Sequence, residues 1–114
     1  MKVLQLIELL NLTLAAGAKG VEKEITGGFA GDLLSEAIGR ASEGEVWITI
    51  QTHKNVVAVA SLKELSAVII AQGHQVEDDV IEAADNENVP ILLSTESAFA
   101  LAGKLYKWVG KGAE

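Results

Sequence analysis

The most ordered pattern in the chain runs over residues 45–62, EVWITIQTHKNVVAVASL. Val46, Ile48 and Ile50 alternate with Trp47, Thr49 and Gln51, the period of a strand with two distinct faces. Residues 56–60 form an unbroken apolar run rich in Val, which reads as a strand covered on both sides. Between them lie the polar residues Thr52, His53, Lys54 and Asn55. The pattern therefore predicts a β-hairpin at the centre of a sheet, with an imidazole at its tip.

The flanking sequence supplies the other elements. Val3, Leu6, Ile7 and Leu10 fall at helical spacing, residues 12–15 and 21–25 read as short strands, and glycines at 17 and 20 mark a turn. Thr26, Gly27 and Gly28 read as a tight turn needing positive φ. A helix follows over 32–41, with Asp32 as N-cap and Leu34, Ala37, Ile38 and Ala41 as its apolar stripe. Ser61 and Glu64 have capping-box spacing for a short helix after the hairpin. Residues 68–71 are a buried strand, and Glu77, Asp78 and Asp79 open a helix that runs to Glu87. Pro90 leads into a strand over 91–93. Ser94 or Thr95 caps a last helix with Ala98, Leu101, Ala102, Leu105 and Trp108 or Val109 inward, and Lys104, Lys107 and Lys111 near its negative end. Buried strands alternating with amphipathic helices predict a layered α/β fold, mostly parallel, with the hairpin as its antiparallel pair.

Composition narrows the class. The 114 residues, 49% of them hydrophobic, suit one domain spanning 1–114 with no internal linker. A net charge of −7 and 4% aromatic residues lack both the basic footprint and the stacking platforms of a nucleic-acid binder. The absence of cysteine removes disulfides, thiolate metal sites and cysteine nucleophiles. His53 and His74 are not at metal-ligand spacing, so no metal or cofactor is expected. The first segment superficially resembles a signal peptide, but Gln5, Glu8, Asn11 and Thr13 interrupt its apolar core. With no run of membrane-spanning length, a cytoplasmic protein without membrane contact is expected.

The candidate chemistry is sparse. The turn of Thr52, His53, Lys54 and Asn55 gathers a hydroxyl, an imidazole, a cation and an amide, and a hairpin turn has no packing need for histidine. A solvated turn held by Thr52 and Asn55 accounts for the same residues. Ser94, Thr95 and Ser97 offer hydroxyls at a helix start, suited to an anion or simply to capping. His74, in its own polar loop, is the lesser histidine candidate. No nucleophile–base–orienter set stands at a recognisable spacing. Trp47 opposite Val46 and Ile48, and Trp108 with Phe99 and Tyr106 on the last helix, leave surplus apolar surface, which favours a homodimer with Trp47 or Trp108 at its interface.

The runs WITIQTHKNVVAVASL and AVIIAQG, then an acidic helix and VPILLSTESAFALAGKLY, resemble the DRTGG domain family from about Thr26 onward. By pattern, the family's Asp-Arg turn falls on His53 and Lys54, and its Thr-Gly-Gly turn on Ala71, Gln72 and Gly73, of which Gly73 is kept. The resemblance implies an α/β module like the N-terminal domain of HPr kinase. Such modules are found beside CBS domains in regulated pyrophosphatases and within phosphotransacetylases, and as stand-alone proteins that accompany hydrogenase and redox-sensing genes. Kinase activity is not expected, because no Gly-rich phosphate loop with Lys and Ser/Thr is present. The leading expectation is a non-catalytic regulatory or interaction module acting as a homodimer. The alternatives are a small-molecule binder, of a nucleotide or an anion, or a weak enzyme using the His53 turn, and an adaptor for a redox-system protein. The contacts expected for a ligand or partner are Thr52, His53, Lys54, Asn55, Gly73, Ser94 and Thr95.

Overall fold

The computed structural model describes residues 1–109. Five strands form one sheet in the order β1-β5-β4-β3-β2: β1 (Thr13–Ala16), β2 (Gly27–Ala30), β3 (Glu45–Thr49), β4 (Ala67–Ile70) and β5 (Ile91–Leu93). Strands β2 to β5 lie side by side in chain order and are parallel, while β1 closes the far edge antiparallel to β5. The sheet is thus mostly parallel, as expected, but its antiparallel pair is β1–β5 and not a central hairpin.

The hairpin is absent because residues 56–60 lie in a helix, α3 (Asn55–Leu62). Its buried residues Val56, Val57, Val59 and Ala60 recur at helical spacing, and an apolar run this short satisfies either period. Position in the fold explains the missing polar stripe. Helix α3 connects β3 to β4 and lies between α2 (Leu34–Arg40) and α4 (Asp78–Glu87), touching both. The expected helix after Ser61 does not form. Leu65 N donates to Ala60 O and Glu64 N to Ser61 O, with Glu64 at φ 55°, so Ser61 and Glu64 close α3 in a Schellman motif.

Consecutive right-handed crossovers between neighbouring parallel strands place their helices on one face. Accordingly α2, α3 and α4 cover one side of the sheet, where Ala37, Val57 and Ala84 pack on Trp47, Val68 and Ile91. Helices α1 (Val3–Leu9) and α5 (Ala98–Val109) cover the other, where Leu6, Leu101 and Leu105 pack on Val46, Ile48, Ile69 and Leu92. The alternation read along β3 is correct, yet both of its faces are inside. Trp47 is fully buried and its Nε1 donates to Gly31 O at 2.8 Å. It belongs to the core of this chain and is withdrawn from any interface.

Two local assignments also change. Thr26, Gly27 and Gly28 do not form a turn: Gly27 and Gly28 begin β2. Helix α5 packs closely over Gly28, where a Cβ would come within 2.7 Å of Leu105 Cδ2. Helix α2 begins at Leu34 with Leu33 at its N-cap position, so Asp32 is free for another task. Lys111 lies outside the described residues.

Candidate functional site

The carboxyl ends of β2 to β5 open onto one rim, the usual ligand side of an open parallel sheet. The loop after β3 is fastened by Asp32. One carboxylate oxygen, Oδ1, accepts from Thr49 Oγ1 at 2.9 Å and from Ile50 N at 3.0 Å. Gln51 Nε2 donates to Asp32 O at 2.9 Å, and Gln51 N to Thr49 Oγ1 at 3.1 Å. Beyond Gln51, His53 Nδ1 accepts from Asn55 N at 3.0 Å. A ring nitrogen thereby satisfies one of the free amides at the start of α3, in the manner of an N-terminal cap. His53, Lys54 and Asn55 are all exposed.

The loops after β4 and β5 are tied to each other. Gln72 N donates to Glu96 O at 2.8 Å and Gly73 N to Ser94 O at 2.9 Å. Both donors have left-handed backbone, with φ 64° at Gln72 and 75° at Gly73. Glycine takes that conformation freely, whereas Gln72 carries strain of the kind that only a well-determined surrounding tolerates. Nothing stands within 4 Å of where a Cβ on Gly73 would project, so its need for glycine comes from the backbone and its outer side is open. Ser94 is buried, and its Oγ accepts from Glu96 N at 3.0 Å. Helix α5 is capped instead by Ser97, whose Oγ accepts from Ala100 N at 3.1 Å. Neither Ser94 nor Thr95 is the cap.

Between these two loops and the turn from α1 into β1 lies a cleft of about 500 Å³. It brings together Gly73, Ser94 and Thr95 with Asn11, Thr13 and Gln75. Thr52, His53, Lys54 and Asn55 do not line it. The expected set thus divides into three residues in one cleft and four on a separate, exposed loop. Asn11 and Thr13 were missed because only the antiparallel docking of β1 beside β5 carries them to the rim. Asn11 does carry a local signal: at φ 53° it closes α1, with Leu12 N donating to Ile7 O. Glu96 at the cleft wall is paired with Lys104, 2.6 Å away. Trp108 is half exposed on α5, and Tyr106 and Phe99 are exposed on the same helix. Among the described residues no group of three His, Asp or Glu side chains converges as a metal site, and no helix is long and apolar enough to cross a membrane.

The family model of the DRTGG domain matches residues 5–107. No curated protein sequence matches. Among solved structures, the chain resembles the CBS and DRTGG domains of the regulatory region of Clostridium perfringens pyrophosphatase, crystallised with its activator diadenosine tetraphosphate. The TM-score is 0.68 at 16% identity, over 91% of this chain and 45% of that one. This chain therefore spans under half the length of that crystallised regulatory region, and the likeness is one of fold.

Proposed function

This chain belongs to the DRTGG domain family, and we propose that it acts as a non-catalytic regulatory module that works as a homodimer. The observation that carries the reading is how the rim spends its polar groups. Asp32, Thr49, Gln51, His53, Ser94 and Ser97 each hold a nearby backbone or side-chain group in place. A general base has to reach a proton on a substrate or nucleophile, and here the imidazole's Nδ1 is directed at Asn55 N. Such a rim is built to hold a shape. Exposed apolar side chains on α5, Trp108 among them, supply surface for a second copy. A redox-system protein is the alternative partner for that surface.

A second reading, small-molecule binding, draws on the cleft at Gly73, Ser94 and Thr95. Its volume of about 500 Å³ lies in the range of ligand sites, and a nucleotide or an anion is the ligand class proposed for it. The pyrophosphatase regulatory region supports this reading, since that protein was crystallised with a dinucleotide activator. The test is an amide NMR titration of the full chain with ATP, diadenosine tetraphosphate and inorganic phosphate. Shifts are expected at Gly73, Thr95 and Glu96, with nucleotide recovered unchanged after prolonged incubation. Steady hydrolysis or phosphoryl transfer would overturn the non-catalytic reading, and shifts elsewhere would move the ligand site.

A further inference from the structure

The two edges of the sheet differ. On one side, β1 loses register against β5 between Leu14 and Ala16, and an irregular edge of this kind resists further pairing. On the other side, β2 is regular, pairing residue by residue with β3. Gly31 N donates to Ile48 O on β3. By alternation the N–H and C=O groups of Gly27 and Phe29 also face β3, and those of Gly28 and Ala30 face outward. Both of these outward residues are exposed. No turn, loop or cap among the described residues supplies a backbone partner to either. Lysine, proline or a bulge usually guards such an edge, and residues 25–31, ITGGFAG, contain neither lysine nor proline.

An apolar stripe runs beside this edge. Phe99, Ala102, Tyr106 and Val109 recur at helical spacing on α5. The last three form a groove of about 130 Å³ with Gly28, Phe29 and Ala30. Phe99 is 91% exposed and Tyr106 58%. An aromatic side chain covers roughly 150–250 Å², so these two, with the smaller groups around them, offer roughly 500 Å² per copy. Twice that, about 1,000 Å², is the size at which a specific interface begins.

Charge points to the occupant. The chain carries a net charge of −7, so two copies repel each other wherever their acidic faces meet. Residues 25–31 and the α5 stripe hold no charged side chain, and two copies can meet there without opposing like charges. A basic partner would be drawn to the acidic faces instead.

We propose that two copies pair through β2 across a two-fold axis, joining their five-stranded sheets into one continuous sheet. The inference rests on the homodimer reading above and assigns its interface. An antiparallel pair centred on Phe29 sets Gly28 opposite Ala30 of the second copy, and Ala30 opposite its Gly28. Each of these pairs exchanges two N–H···O=C bonds, and Phe29 stands opposite its own copy as a non-hydrogen-bonded pair, where side chains lie closest. On the other face of the sheet, the two α5 stripes close over the join.

The chain has no cysteine, so single cysteines in the full chain report on the join under mild oxidation. Opposed non-hydrogen-bonded residues stand about 4.5 Å apart at Cα, within disulfide reach. Phe29→Cys should cross-link into a covalent dimer about tenfold or more faster than Leu14→Cys on the opposite edge. Ala30→Pro removes an outward N–H from each copy and spares the bonds to β3. Sedimentation should show its dimerisation weakened about tenfold or more. In hydrogen exchange of the unsubstituted chain, the Gly28 and Ala30 amides should be protected in the dimer and exposed on dilution to the monomer. Undiminished dimerisation of Ala30→Pro, or Phe29→Cys cross-linking no faster than Leu14→Cys in a dimeric sample, would each overturn this interface while leaving the homodimer standing. A chain that stays monomeric would overturn both. Protection of Gly28 and Ala30 in the monomer would also overturn the interface, because the chain would then cover its own edge.

Discussion

Replacing Trp47 with Phe tests the three-layer core at its largest fully buried side chain. The indole packs on the face covered by α2, α3 and α4, and its Nε1 donates to Gly31 O at 2.8 Å. Phe removes that donor and part of the ring volume together. Lost apolar burial amounts to about 1 kcal/mol at ~25 cal/mol per Å². An incompletely collapsed cavity adds a further term of roughly 1 kcal/mol. The missing hydrogen bond, which strands the Gly31 carbonyl, contributes about 1 kcal/mol more. The sum is about 2–4 kcal/mol, or a melting temperature lower by roughly 8–16 °C for a domain of this size. Urea unfolding of wild type and variant, followed by circular dichroism, measures it. Fluorescence of the Trp108→Phe protein isolates Trp47, whose emission should be blue-shifted and poorly quenched by acrylamide. A loss under about 1 kcal/mol, or ready quenching of Trp47, would refute the packing and return Trp47 to the surface.

Three further substitutions separate backbone, surface and strain. Gly17→Ala places a Cβ against the Val89 carbonyl at a residue with φ 77°; chemical denaturation should show a loss above about 3 kcal/mol, and a neutral result would contradict the docking of β1 beside the turn into β5. His53→Asn should leave stability within about 0.5 kcal/mol in urea melts, because the ring is exposed and its one bond, to Asn55 N, is within reach of an Asn oxygen; a loss near 2 kcal/mol would mark it as a structural histidine. Glu64→Gly relieves a left-handed non-glycine residue at φ 55° and should raise stability by about 0.5–1 kcal/mol; a lower melting temperature would show that the Glu64 side chain is itself a structural contact.

Elements whose period, length and flanking residues agree were legible in the sequence, and helix α3, enclosed by its neighbours, was not. Helix α4 opens on Asp78 and Asp79 and buries Val80 and Ala84, so charge and period agree and its limits fall where expected. Strand β5 follows Pro90 as predicted. Helix α3 gives no such agreement, since neighbouring helices remove the need for a polar stripe and β-branched Val satisfies either backbone. The same enclosure made Trp47 look like interface, because alternation along β3 says which residues share a face and not whether that face is covered. At the rim, Gly73 was legible through the turn pattern of the DRTGG resemblance. Asp32 was read as a cap because Asp before an apolar stripe is the common cap pattern. Its role in fastening the loop after Thr49 depends on β2 and β3 being neighbours, which no local pattern encodes. Asn11 and Thr13 reach the cleft through the antiparallel placement of β1, a pairing between residues some eighty positions apart.

Native mass spectrometry of the freshly purified full chain addresses the central proposal, a DRTGG module that works as a homodimer, most directly. A dominant species is expected at twice the 12.0 kDa chain mass at micromolar concentration, resolving to single chains only on activation in the gas phase. A spectrum holding only the 12.0 kDa chain throughout the micromolar range would contradict it.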